Sequence, residues 1–310
     1  MASLNVTIFG AGAIGSMLGG IIKHEGKATV NLVGRKPHME AIDRNGLTIE
    51  FVHENKKIDV KGFNCYTDIS DIQSTDVLIF SVKAFDLEGA LCETKHLLST
   101  PSTTVILAMN GLGIEELAGK YVERERLVRL ALILPCKLEP GKVKSTGGNR
   151  IIFVEDNPFQ TSKILPLFET ELLQVELVKD IAERVWKKTV LNLLNPVSAV
   201  FGRTVGEILS DPYLMKLVEL MVEEYEGVAR KLSVNIRDSF DFLKRTAAHD
   251  KEHYTSMYFD LKRGKPTEID FLNGFIALKG KEVGVPTEVN LSMTLLIKKL
   301  AKNAKIKGRG

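Results

Sequence analysis

Disulfides, membrane spans and metal clusters have almost nothing to build on in this chain. Its only cysteines are Cys65, Cys92 and Cys136, an odd number at wide spacing with no CxxC pair. That argues against a disulfide framework or a zinc site and fits a reducing cytosol. No apolar run reaches the ~18 residues of a membrane helix, so no membrane partner is expected. The N-terminus lacks the charged, apolar and small-residue regions of a signal peptide and enters structure directly at Leu4. Charge of one sign is also missing: 42 Lys and Arg against 39 Asp and Glu leave a net charge of +3. This is too little to imply nucleic acid, but it suits a site that attracts an anionic cofactor or substrate. No His, Cys and carboxylate cluster has ligand spacing, so no metal is expected. His249 and His253, four residues apart, read as one exposed helix face. No repeat or low-complexity stretch occurs, and the basic tail from Lys298 to Arg309 reads as a solvated end.

What is present points to two domains. The 310 residues, 44% hydrophobic and 26% charged, suffice for two ordinary cores. Buried-strand patterns occur at Asn5–Phe9, Ala28–Val33, Val77–Val82 and Thr104–Met109, with helix-like stretches after them, the first from Ser16 to His24. Such alternation predicts a parallel sheet covered by helices. Leu127–Leu134, Lys142–Thr146 and Arg150–Val154 read as further strands, antiparallel at the sheet edge. Beyond about Asp180 strand-like runs stop. Helical spacing then governs the segments near 181–194, 211–232, 236–248, 268–283 and 288–303. Asp211-Pro212 marks a helix start, and Gly284-Val285-Pro286 separates the last two helices. The expected fold is α/β: a doubly wound dinucleotide-binding domain over 1–178, then an all-α domain over 179–310.

Gly10-Ala11-Gly12-Ala13-Ile14-Gly15 follows a strand and opens a helix, the context that gives a GxGxxG string its physical meaning. Gly10 permits the tight turn, Gly12 lets the backbone approach a pyrophosphate, and Gly15 allows close helix–strand packing. The second strand ends in Val33-Gly34-Arg35-Lys36. An NAD site usually has an acid there for the ribose hydroxyls. Arg35, followed by Lys36, suits a 2′-phosphate and favours NADP(H), although two exposed surface cations would look the same. Lys83, in Ser81-Val82-Lys83-Ala84, and Asn110, in Met109-Asn110-Gly111-Leu112-Gly113, follow strand ends and point towards the cofactor cleft.

The run Trp186 to Pro196 reads as a helix that is apolar beyond its start. At 3.6 residues per turn Lys188, Asn192 and Asn195 fall within about 60° of one another, while Lys187 turns away towards Leu191 and Leu194. Polar residues on a core-like helix need partners or a ligand. A structural alternative has Asn195 capping or preceding the Pro196 turn. Cys92, on the helix after Lys83, either faces the cleft as an open thiol or packs in the core.

Taken together, Gly10 to Gly15, Ser81 to Ala84, Asn110 to Gly113, Trp186 to Pro196, Ser256-Met257 and Thr267-Glu268-Ile269-Asp270 make the chain resemble the ketopantoate reductase (2-dehydropantoate 2-reductase) family over its full length. The serine twelve residues before Glu268 is the specific part. The resemblance implies a Rossmann domain joined to a helical domain like that of 6-phosphogluconate dehydrogenase. It implies NADPH-dependent reduction of ketopantoate to D-pantoate, on the cytoplasmic route to pantothenate and coenzyme A. It makes Lys188 the general acid, with Asn192 and Asn195 holding the 2-keto acid and Ser256 its carboxylate. Lys83, Asn110 and Glu268 would lie along the cofactor and its nicotinamide, and two copies would pair through the helical domain.

Three departures stand out. Two residues rather than three separate Asn192 from Asn195, and the segment after Gly113 is one residue short. Val205 stands before Gly206-Glu207 where the family has a substrate-contacting asparagine. Val205 leaves room for a dehydrogenase acting on another 2-keto acid. A non-enzymatic NADP-binding sensor is a further alternative, against which the proton donor Lys188 and Glu268 speak.

Overall fold

Val77–Phe80 and Thr104–Leu107 are buried on both faces, while Leu4–Phe9 and Ala28–Val33 alternate apolar with polar residues, and the structure shows what covers them. It is a computed structural model that describes residues 4–147, 150–249 and 251–307; Arg309, at the end of the basic tail, lies outside them. One unit comprises Met1–Asn110 and Ile114–Ile181, the other Gly111–Gly113 and Ala182–Gly310.

The strands of the first unit are β1 (Leu4–Phe9), β2 (Ala28–Val33), β3 (Leu47–Phe51), β4 (Lys56–Val60), β5 (Asn64–Tyr66), β6 (Val77–Phe80), β7 (Thr104–Leu107), β8 (Leu127–Ile133), β9 (Cys136–Glu139), β10 (Lys142–Ser145), β11 (Ile151–Glu155) and β12 (Gln174–Val178). Its helices are α1 (Ala13–His24), α2 (Lys36–Asn45), α3 (Leu87–Glu93), α4 (Lys95–Leu98), α5 (Ile114–Ala118) and α6 (Thr161–Phe168). The main sheet runs β12-β11-β8-β7-β6-β1-β2-β5. Its centre is parallel from β5 through β8, and β11 pairs antiparallel with β8. The edge beyond β11 is β12, which pairs parallel with it.

The expectation for Lys142–Thr146 needs correcting. β10 does not join the main sheet but a second one, ordered β4-β3-β10-β9. That sheet explains the composition of α1, whose residues from Gly15 to Ile22 are all buried. An amphipathic helix buries one stripe, whereas this one is covered on two sides. A Cβ on Gly19 would press on Leu32 and Ile8 of the main sheet, and one on Gly20 on Ile49 and Leu47 of the second. The paired glycines let two sheets close on one helix.

The second unit is helical: α7 (Ile181–Thr189), α8 (Leu194–Phe201), α9 (Val205–Ser210), α10 (Pro212–Lys231), α11 (Ser239–Ala247), α12 (Ser256–Lys262), α13 (Asn273–Val283) and α14 (Glu288–Lys307). The Asp211 side chain accepts from the N–H groups of Tyr213 and Leu214, and Pro212 opens α10 where its missing N–H costs nothing. Gly284 closes α13 with φ 71°. His249 and His253 are exposed but lie in neither α11 nor α12, so they do not form a helix face. Trp186, Tyr225 and Phe275 make the aromatic centre, with Trp186 4.9 Å from Tyr225 and 6.2 Å from Phe275 between ring centroids.

Candidate active site

β1 is flanked by β2 on one side and β6 on the other, so the chain leaves it at the point where strand order reverses. Ligands of open α/β sheets bind at the carboxyl ends of the strands there. The turn after β1 is Gly10, with φ 96°, a conformation that costs a side-chain-bearing residue dearly. The Gly10 and Ala11 N–H groups both donate to the Val33 carbonyl, which seats the loop against the end of β2. At Gly15 a Cβ would meet the Gly10 carbonyl oxygen at 2.6 Å as well as the Ser81 hydroxyl, so any larger residue displaces backbone. Gly12 behaves oppositely: among the described residues only the Gly10 oxygen, at 3.8 Å, lies within contact of a Cβ there. The first turn of α1 holds no acidic residue to neutralise its dipole. Close packing behind Gly15 and open space before Gly12 fit a pyrophosphate at the helix N-terminus.

The strand order β7-β6-β1-β2 sets the other candidates side by side along this edge, about 4.8 Å per strand. Asn110 follows β7, Lys83 follows β6, the glycine loop (Gly10, Ala11, Gly12, Ala13, Ile14, Gly15) follows β1, and Arg35 follows β2. Arg35, Lys83 and Asn110 are exposed. Lys36 is engaged by Glu40 at 3.8 Å, whereas Arg35 is the N-cap residue of α2 and makes no such pair among the described residues. Asp86 lies within electrostatic reach of both Arg35 and Lys83; burial raises its pKa, and the two cations oppose that rise.

In the helical unit the expected continuous helix over Trp186–Pro196 is interrupted. α7 stops at Thr189, Val190–Leu193 forms a 3-10 turn, and α8 resumes at Leu194. Pro196 has no N–H to give the Asn192 carbonyl, so the α-helical ladder cannot run through this point. A 3-10 turn advances 120° per residue instead of 100°, and the angles expected of an ideal helix do not apply. The two asparagines still meet: the Asn195 amide donates to Asn192 Oδ1 at 3.4 Å. Asn195 is no cap, because Leu193 is the N-cap residue of α8. Lys188, Asn192 and Asn195 are half-buried, while Lys187 is exposed with Nζ 5.2 Å above the Phe242 ring.

Ser256 and Glu268 are joined to this region through their neighbours. Thr255 donates its hydroxyl to the Asn195 carbonyl at 3.3 Å, placing exposed Ser256 at the start of α12 beside α8. Met257 and Ile269, next to Ser256 and Glu268, share a small core with Leu272 and Ile297. Glu268 is half-buried at the head of a 3-10 turn, Ile269–Phe271. The Phe271 carbonyl in turn accepts from the Leu112 N–H at 2.8 Å, which ties Gly111–Gly113 into the helical unit directly after Asn110. Val205 is 2% exposed at the head of α9, packed inward. Its backbone N–H donates to the His253 carbonyl.

Two contributors escaped the reading of the sequence. Ser81 donates to the Gly10 carbonyl at 2.9 Å and so anchors the glycine loop, although only Lys83 of its motif drew attention. Ser16, fully buried in α1, bonds to His38 of α2 at 2.8 Å. Ordinary polar residues on a strand end and a helix carry no spacing signal for such contacts. Cys92 is exposed, which excludes core packing, and its thiol contacts the Tyr121 hydroxyl at 3.6 Å.

A glycine loop at the switch point of a doubly wound sheet, followed by a helical unit carrying a lysine and paired asparagines, defines a two-unit dinucleotide oxidoreductase. The chain belongs to the ketopantoate reductase PanE/ApbA family, whose N-terminal model matches residues 6–157 and whose C-terminal model matches 180–301. The 2-dehydropantoate 2-reductase of Pyrococcus horikoshii is 32% identical over 305 residues, 95% of this chain and 97% of that protein. A PanE/ApbA family ketopantoate reductase from Ralstonia eutropha JMP134 superposes with a TM-score of 0.88 at 26% identity, covering 97% and 99% of the two chains. D-mandelate dehydrogenase, solved with NADH and anilino(oxo)acetate, gives 0.85 at 26% identity over 96% and 98%. Among the described residues no helix is long and apolar enough to cross a membrane.

Proposed function

We propose that the protein reduces 2-dehydropantoate to D-pantoate with NADPH in the cytoplasm, on the way to pantothenate and coenzyme A. The observation that carries the cofactor choice is Arg35, an exposed cation at the end of β2 where an acid would serve NAD. Gly10 to Gly15 hold the pyrophosphate, Arg35 the 2′-phosphate, and Lys83, Asn110 and Glu268 lie along the rest of the dinucleotide. When bound, NADPH supplies a hydride to the ketone carbon. The Lys188 ammonium stabilises the negative charge gathering on the ketone oxygen and gives that oxygen its proton. Asn192 and Asn195, already bonded to each other, hold the keto acid, and Ser256 takes its carboxylate. Exposed Leu278, Leu291, Leu295 and Leu296 on α13 and α14 support pairing of two copies through the helical unit.

Loss of NADPH absorbance on adding 2-dehydropantoate tests the reading. Val205 favours a second one. A buried valine cannot offer the amide expected there, and a related 2-keto acid, such as an aryl glyoxylate, is then the better substrate. Faster turnover of that acid establishes the second reading, and no turnover with any 2-keto acid leaves a sensor.

A further inference from the structure

His38 has no part in the proposed reaction, yet it is 5% exposed and bonded on both ring nitrogens. The Gly141 N–H donates to Nδ1 at 3.0 Å, so Nδ1 accepts and Nε2 carries the proton. Nε2 lies 2.8 Å from the Ser16 hydroxyl, which accepts from it and donates onward to the Ala11 carbonyl at 3.3 Å. Burial holds His38 below the ordinary imidazole range, outweighing the opposing Glu139 carbonyl, so this neutral arrangement persists. The relay therefore runs from the turn between β9 and β10, through α2, to the glycine loop.

Its position in α2 gives the relay a consequence. The His38 N–H donates to the Arg35 carbonyl at 3.0 Å, closing the first turn of the helix that Arg35 caps. On the other side Gly34 is packed so tightly that a Cβ there would sit 3.1 Å from both Ala11 and Met39. The Gly10 and Ala11 N–H groups tie the pyrophosphate turn to Val33 at the end of β2, and the Ser16–His38 bond is the side-chain link that ties α1 to the first turn of α2, which Arg35 caps.

We infer that His38, through Ser16, is a positioning residue for cofactor discrimination: it fixes the distance between the glycine loop and Arg35. A dinucleotide without a 2′-phosphate needs only the loop, and one with it needs the loop and Arg35 at the correct separation. The inference rests on the reading of Arg35 as the 2′-phosphate contact.

The test is direct binding of NADPH and NADH to the purified protein, followed by nucleotide fluorescence. His38→Asn keeps an acceptor for Gly141 but cannot reach Ser16, and Ser16→Ala removes the bond from the other side with little change in volume. Each is expected to weaken NADPH roughly fivefold to tenfold more than NADH, the worth of one lost neutral hydrogen bond. His38→Gln, whose amide reaches the Ser16 oxygen, should restore most of the preference. Equal weakening of both cofactors, or no change in their ratio, overturns the inference. Arg35→Ala separates the two claims. If it weakens NADPH alone while the Ser16 and His38 variants leave the ratio untouched, only the positioning role falls. If it leaves the ratio unchanged, the reading of Arg35 falls and the inference with it.

Discussion

The Tyr225 hydroxyl donates to the Trp186 carbonyl at 2.6 Å, in a fully buried contact two residues before Lys188. Burial keeps the phenol protonated well above its usual range, so the donor is present at every working pH. The bond falls on the last turn of α7, just before the chain tightens into the 3-10 turn at Val190. It therefore braces the helix end from which Lys188 projects. Tyr225→Phe keeps the ring stack on Trp186 and deletes only the hydroxyl donor to a carbonyl within α7. The expected loss is about 0.5–1.5 kcal/mol of stability, the net worth of one hydrogen bond, read from denaturant unfolding, with a fall in kcat and little change in the KM for NADPH. Unchanged stability would show that the hydroxyl does not brace this end of α7.

Lys188 and its neighbour make a built-in control. Lys187 is exposed and spends its charge on the Phe242 ring, whereas Lys188 is half-buried on the side of Asn192. Lys188→Ala should lower kcat by about 10²–10⁴, the usual contribution of a positioned acid, and Lys187→Ala should leave it within about twofold. Full activity in the Lys188 variant removes it from the chemistry.

Gly15 is opposed by the Gly10 backbone carbonyl and by two side chains, those of Ser81 and Ile8. Gly15→Ala drives a methyl onto the Gly10 carbonyl and the Ser81 hydroxyl. It should abolish measurable dinucleotide binding in a titration, and adding Ser81→Ala should not restore it, because the carbonyl is backbone. Rescue by the double variant would mean that the serine alone sets the limit.

The three thiols should separate cleanly under alkylation. Burial pushes Cys136 up to about 12 and Cys65 up to about 11, the latter with some help from Asp43, so neither supplies thiolate near neutrality. Exposed Cys92 reacts first. Mass spectrometry of the native protein after brief iodoacetamide treatment should find one adduct, on the peptide that carries Cys92.

His38 also carries a pH signature in stability. Its folded pKa lies below the ordinary value of about 6.5, so on acidification the unfolded chain takes up the proton first. Stability is complete above about pH 6.5 and is lost as pH falls from there towards the folded pKa. A melting series over that window should slope downward on acidification for the native chain and less steeply for His38→Gln. Parallel slopes would place the imidazole in water.

The residue order alone determined a good deal. Gly10, Gly12 and Gly15 between a strand and a helix, the alternation to about residue 180 and the helical spacing beyond it are local patterns, set by backbone sterics and burial. The strands at 77–80 and 104–107 were legible as short apolar runs, and those at 4–9 and 28–33 because Val6, Ile8, Val30 and Leu32 alternate with polar residues. β3 and β4 were not, since half-exposed strands such as Lys56–Val60 gain their order from the partner sheet and not from their own hydrophobicity. The same limit governs the site. Arg35 and Lys188 could be singled out as cations in odd places. That Ser81 bonds Gly10, that Ser16 and His38 share a hydrogen bond across twenty-two positions, and that Pro196 turns an expected helix into a 3-10 step were decided by tertiary structure. A hydrogen bond needs two atoms within about 3 Å, and packing, not sequence distance, sets which atoms those are.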